Sequence, residues 1–221
     1  MSTTKDWPTW LERALQGLTY WTGHRRCLYR NYPLAEGAFV AELCNLIHAN
    51  LPDRYSLLCE EQYSEFLQGD ERPTLLTERS RADLVVYEKV KTPAGATELH
   101  ASFIIEVKRA SAPKSQIDAD LCRLMAVRAV APAIKTYLVV VAEATRPKRF
   151  VSDSGSSITR RQTIDGVPGY FKVRRTLKAA HAYSRGSRTP NMPASSRRLP
   201  RPNPSFKRTL ASRLRRLSRS A

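Results

Sequence analysis

The chain has no apolar run approaching the ~18 residues of a membrane span, and Met1 to Gly23 holds neither a long apolar core nor a small-residue cleavage site. A reducing, cytoplasmic protein is the expectation. Its four cysteines, Cys27, Cys44, Cys59 and Cys122, are 17, 15 and 63 positions apart and form no CxxC pair, so buried free thiols are expected ahead of zinc or disulfides. The four histidines, His24, His48, His100 and His181, show no metal-ligand spacing and read as structural or solvent-facing. No Walker-type loop, nucleophile elbow or dinucleotide fingerprint occurs, so chemistry built on those motifs is not indicated.

Acidic residues are also scarce. Asp and Glu number 20 against 37 Lys and Arg, which gives a net charge of +17 and implies a polyanionic partner. Residues 184–221 hold eleven Lys or Arg and no acid, leaving +6 for residues 1–183. Beyond Tyr183 the composition turns to Ser, Pro, Arg and Asn, with five prolines from Pro190 to Pro204, so a disordered basic tail is expected. Phe206, Leu210, Leu214 and Leu217 share one helical face there, which suits either a helix on an anionic surface or a solubilising end. The length of 221 residues fits one core with additions. The divisions read are an N-terminal helical extension over 1–32, a core over 33–183 and the tail over 184–221.

Periodicity predicts a helix over Trp7 to Tyr20, with Trp7, Trp10, Leu11, Ala14, Leu15 and Leu18 at helical spacing and Pro8 in the first turn. Core packing is favoured over base stacking for the three tryptophans, Trp7, Trp10 and Trp21. A second helix is expected from Pro33 to about Ala49, its inward stripe running through Phe39, Val40, Leu43, Leu46, Ile47 and Asn50. Glu36 lies on that stripe and Glu42 off its centre. Tyr55 to Cys59 reads as a strand. Lys91 to Thr97, with Pro93 and Gly95, reads as a hairpin joining two further strands as antiparallel neighbours. Ser111 is the expected cap of the next helix, with Ile117, Leu121, Leu124, Met125 and Arg128 at helical spacing. Thr136 to Ala142 is continuously apolar, the pattern of a central strand covered on both faces. Arg146 to Gly169 reads as a loop or hairpin, and Tyr170 to Leu177 as a strand carrying Lys172, Arg174 and Arg175, either a basic rim or a charged edge.

The most informative residues are charged groups inside two apolar strands. These are Asp83 in Arg81-Ala82-Asp83-Leu84-Val85-Val86-Tyr87, and Glu106 and Lys108 in Ala101-Ser102-Phe103-Ile104-Ile105-Glu106-Val107-Lys108. Alternate strand residues share a face, so Ile104, Glu106 and Lys108 project one way and Phe103, Ile105 and Val107 the other. If the strands pair, Asp83 adds a second carboxylate beside Glu106. Two hard oxygen donors next to an ammonium suit a divalent cation and phosphodiester hydrolysis. An acidic-x-Lys triplet alone is common; its weight lies in standing within an apolar strand, 23 residues after Asp83.

These residues resemble the PD-(D/E)xK nuclease superfamily over roughly 33–142. The resemblance implies an α/β, restriction-endonuclease-like αβββαβ core with a mixed central sheet flanked by helices. It also implies Mg²⁺ (or Mn²⁺) held by Asp83, Glu106 and the carbonyl of Val107, with Lys108 and Glu36 completing the catalytic set and Glu42 as substitute for Glu36. Related branches carry a polar residue early in the following helix, where this chain has Lys114 and Gln116, and one places a Tyr where this chain has Asp120. The expected activity is nuclease, on DNA ahead of RNA, with Arg109, Lys114, Gln116, Arg123, Lys172, Arg174 and Arg175 as candidate nucleic-acid contacts. Blunt duplex cutting by such folds uses two active sites, which raises a homodimer. The stretch Arg201 to Thr209 resembles translated repeat sequence at the ends of integron-cassette proteins, a cue to a mobile-element setting. The alternatives are a non-catalytic nucleic-acid binder on the same fold and a protein-interaction module with a basic tail.

Overall fold

The computed structural model describes residues 7–29, 32–67, 73, 76–77 and 79–179. The tail expected from 184 onward lies outside the described residues. Ten elements follow in chain order: α1 (Thr9–Leu28), α2 (Glu36–Asn50), β1 (Tyr55–Gln62), α3 (Tyr63–Phe66), β2 (Arg81–Lys91), β3 (Thr97–Arg109), α4 (Lys114–Val130), β4 (Lys135–Val141), β5 (Gln162–Ile164) and β6 (Val167–Phe171). The first four strands form one mixed sheet in the order β1-β2-β3-β4, antiparallel except for the parallel pair β3 and β4. Thr92 to Ala96 closes the β2–β3 hairpin as the spacing predicts, and Gly95 supplies the φ of +82° that its turn needs.

Strand alternation divides the core. Leu84, Val86, Phe103, Ile105 and Val107 face α1 and α2, where Trp10, Leu11, Leu18, Phe39, Leu43 and Ile47 meet them. Val85 and Ile104 face the other way, onto Tyr63, Leu124 and Val127. Each buried Leu, Ile, Val or Phe contributes about 1.5–3 kcal/mol, so two apolar faces fix both the register and the helix on each side. Gly17 lets α1 and α2 approach closely, since a Cβ there would stand 2.8 Å from Leu46 Cδ2. The tryptophans pack as expected, Trp10 edge-on to Phe103 and Trp21 edge-on to Phe39.

Several boundaries differ from the sequence expectations. Helix α1 continues to Leu28, and α2 begins at Glu36 rather than Pro33, with Ala35 as its extended cap. Pro113 caps α4 instead of Ser111, and Arg128 is exposed while Val127 takes the buried position. β4 is covered on both faces, but it stands at the sheet edge, pairing only with β3 among the described residues. An apolar run reports covered faces, and says nothing of how many hydrogen-bonded neighbours a strand has. Of the strand expected over Tyr170 to Leu177 only Tyr170 and Phe171 are regular, as the end of β6, which pairs with β5 inside the stretch read as loop or hairpin; residues 172–179 continue without strand pairing. The cysteines are free but not buried: Cys27 and Cys59 are exposed, Cys44 and Cys122 half-buried, because Cys27 ends α1 and Cys59 lies on an edge strand.

A cavity of about 930 Å³ lies along β4, between α1, α4 and residues 168–179. That last segment brings Phe171 and Val173 to the same buried cluster, Ile117, Leu121, Phe150 and Val151, that Leu138 and Val140 of β4 join, and ties Arg175 to Glu12 of α1 at 2.9 Å. Among the described residues no helix is long and apolar enough to cross a membrane.

Candidate active site

β2 and β3 part beyond the pair Leu84↔Ile105, one step before Asp83 and Glu106 would face each other in register. The parting leaves the main-chain N–H groups of Val107 and Arg109 without a strand partner. Buried N–H groups are costly unpaired, and two carboxylates take them. Val107 N–H donates to Asp83 Oδ2 at 2.7 Å, and Arg109 N–H donates to Glu36 Oε2 at 3.2 Å. Within a strand a residue's N–H and C=O point to the same side, so the Val107 carbonyl also opens toward Asp83.

Glu106 and Lys108 lie on the α4 face of β3. Glu106 is 2% exposed and accepts a 2.5 Å hydrogen bond from the Tyr63 hydroxyl on Oε1. Burial, then the neighbouring charge of Asp83, pushes its carboxyl up to about 8. It is therefore mostly protonated near neutral pH and donates to Asp83, whose own pKa is raised by burial despite the Val107 and Glu106 hydrogen bonds. Burial likewise drives the Tyr63 hydroxyl upward, reinforced by Glu106, so Tyr63 remains a donor.

The Lys108 ammonium is gripped from two helices. Glu36, at the start of α2, accepts from Nζ at 2.6 Å, and Asp120 of α4 faces it at 3.2 Å through Oδ2. Burial opposes its charge, but Glu36 and Asp120 outweigh that and raise the pKa. Asp120 is 2% exposed and its other oxygen holds Arg123. Four carboxyls, Glu36, Asp83, Glu106 and Asp120, thus surround two cations, Lys108 and Arg123.

The structure brings Asp83, Glu106, Lys108, Val107 and Glu36 together, and Glu42 sits further along α2. The expected nucleic-acid contacts are arranged differently. Arg109 pairs with Glu143 at 3.8 Å, Lys114 with Asp118 at 2.6 Å, Arg123 with Asp120 and Arg175 with Glu12. Gln116 is exposed on the first turn of α4, and Lys172 and Arg174 are exposed on the segment flanking β4. Tyr63 and Asp120 were not expected at the site. Asp120 carries a readable signal, since with Ile117, Leu121 and Leu124 it completes a buried helical stripe.

Among the described residues no three His, Cys, Asp or Glu side chains are grouped as a metal cluster. The donors at the parted strands are instead two adjacent carboxyls and one backbone carbonyl. They fit a hard divalent cation, because two buried carboxyls in contact repel when both are ionised and a cation relieves that repulsion as a proton does. The chain matches no protein-family model and no curated protein.

Proposed function

We propose that this protein is a metal-dependent nuclease of the PD-(D/E)xK kind, hydrolysing phosphodiester bonds, in DNA ahead of RNA. The carrying observation is the meeting of Asp83 and Glu106 where β2 and β3 part, with Lys108 on the same face of β3 as Glu106. The order α2-β1-β2-β3-α4-β4, antiparallel until the parallel final pair, supports a restriction-endonuclease-like reading of the mixed sheet. The net charge of +17 suits a polyanionic substrate.

Asp83, Glu106 and the Val107 carbonyl would hold Mg²⁺ or Mn²⁺, which supplies Lewis acidity toward the scissile phosphate and a water. Tyr63 orients the Glu106 carboxyl by donating to one of its oxygens, leaving the other for Asp83 or the cation. Glu36 and Asp120 hold the Lys108 ammonium in one place, so its charge is aimed before the transition state forms. Arg123 offsets the charge of Asp120.

The test incubates the full chain with plasmid and with single-stranded DNA in Mg²⁺ or Mn²⁺, beside Asp83→Ala and Lys108→Ala. Cleavage is expected from the parent chain, falling roughly a hundredfold or more in Lys108→Ala and to background in Asp83→Ala. Equal cleavage by all three marks a contaminant and removes the proposal. Salt-sensitive binding without cleavage under either cation favours a non-catalytic nucleic-acid binder instead.

A further inference from the structure

The cavity beside β4 is lined by residues 135–143 without a gap. Successive strand residues point to opposite faces, so a space that meets all of them lies at the strand's edge and not over either face. Its walls agree with that placement. Leu11, Leu15 and Leu18 of α1 line it from one layer, and Leu121 and Met125 of α4 from the other. Tyr137, Val139 and Val141 join the α1 side of the core, while Leu138 and Val140 join the α4 side. The space is therefore the position that a further strand would take in the sheet. Among the described residues β4 pairs only with β3, and Thr136 to Val141 are all half-buried, so the outward N–H and C=O groups of β4 face this space.

Its size suits that role. A strand between two layers takes about 4.8 Å by 10 Å by 3.3 Å per residue, on the order of 160 Å³, so a cavity of about 930 Å³ admits roughly six residues. Residues 172–179 form its outer wall and are anchored elsewhere: Arg175 to Glu12, the Thr176 hydroxyl to that of Ser157 at 2.7 Å, and Lys178 Nζ to the Ser154 carbonyl at 3.5 Å. The wall is thus held back from filling the slot itself. Charge then selects the occupant. The lining carries six Lys or Arg and one acid, Glu143, with Arg128, Lys135 and Lys172 exposed at the rim. Residues 184–221, with eleven Lys or Arg and no acid, carry the wrong sign for it, whether from this chain or from a second copy.

We propose that this slot binds an extended peptide of a partner protein, a short apolar run flanked by acidic residues, as an added strand on β4. Main-chain hydrogen bonds to the open edge supply affinity. The guest's centre is apolar on both faces, as β4 is, because helices cover the slot from both sides. Its flanking carboxylates meet Arg128, Lys135 and Lys172 at the rim. The outer wall keeps broad sheet edges away and leaves room for one strand. Nothing in this depends on cleavage at Asp83 and Glu106.

The full chain is titrated by fluorescence anisotropy with a labelled peptide of about four valines between paired glutamates, a length matched to the slot. Two counterparts are run beside it, one with lysine for glutamate and one N-methylated on the valines. The glutamate peptide is expected to bind. Lysine exchange should weaken it roughly tenfold or more, and N-methylation by a similar factor, since each methyl removes a main-chain donor. Arg128→Glu with Lys135→Glu should weaken the glutamate peptide and strengthen the lysine one, a gain that unfolding would not produce. Hydrogen exchange read by mass spectrometry should slow over residues 135–141 when the glutamate peptide is present. Binding that ignores N-methylation is charge alone and overturns the proposal, as does unchanged exchange over 135–141. Oligothymidine that slows those amides where the peptide does not also overturns it, and gives the slot to a polynucleotide.

Discussion

Glu106 is held neutral by burial and by Asp83, and that has a sign in pH. Its folded-state pKa of about 8 exceeds the ordinary 4.5, so the folded chain binds the extra proton in between. The stability this group contributes is present in full below pH 4.5 and is lost as pH rises through about 8. Thermal melts in EDTA should therefore fall over that window, and Glu106→Gln should flatten the decline. A divalent cation competes with the same proton, so its affinity should climb with pH toward about 8, measurable by calorimetry, and collapse in Asp83→Ala. Asp120 gives a second residue-level expectation. Removing one member of a buried ion pair strands the others, so Asp120→Ala should cost roughly 3 kcal/mol in denaturant unfolding, less any relief from the partial exposure of Arg123. A loss near zero would mean that Lys108 and Arg123 find water instead.

At the scale of elements, α2 and β1 meet through Cys44 and Cys59, whose Sγ atoms lie 3.1 Å apart. Partial burial and the Cys44 thiol push Cys59 up to about 12, so Cys59 is not a ready thiolate. A small-molecule disulfide such as oxidised glutathione should nonetheless link them slowly at alkaline pH, itself being reduced to two thiols, and peptide mapping should find the 44–59 crosslink; mixed disulfides alone would show that the elements do not let the sulfurs meet. What the sequence disclosed follows from local periodicity. Alternation placed Glu106 and Lys108 on one face, Pro93 and Gly95 marked the hairpin, and helical spacing turned Glu36 inward. Tyr63 was hidden because the four-residue α3 has no period to read. Asp120 lay on a buried stripe, but a carboxylate there reads as surface until Lys108 and Arg123 are seen around it. The partners of the basic residues were hidden for a related reason: sequence gives a cation's charge, and only the fold gives the carboxylate beside it.

Charge on the whole molecule is unevenly divided, with eleven of the cations beyond residue 183. Polyanion affinity should fall linearly in log salt, and shortening the chain after Ala179 should flatten that slope while leaving the melting temperature unchanged. An unchanged slope would place phosphate binding entirely within residues 1–179. Where the chain is cut matters, because Phe171 and Val173 share a buried cluster with β4 without adding a strand to it. A cut before Phe171 would strip Val173 and the Arg175–Glu12 tie, leaving the apolar β4, whose outer edge pairs with no strand among the described residues, more open to solvent. Such an edge templates strand addition from other copies, so the shortened chain should precipitate, and the segment's most consequential service is keeping each molecule from recruiting its neighbours into aggregates.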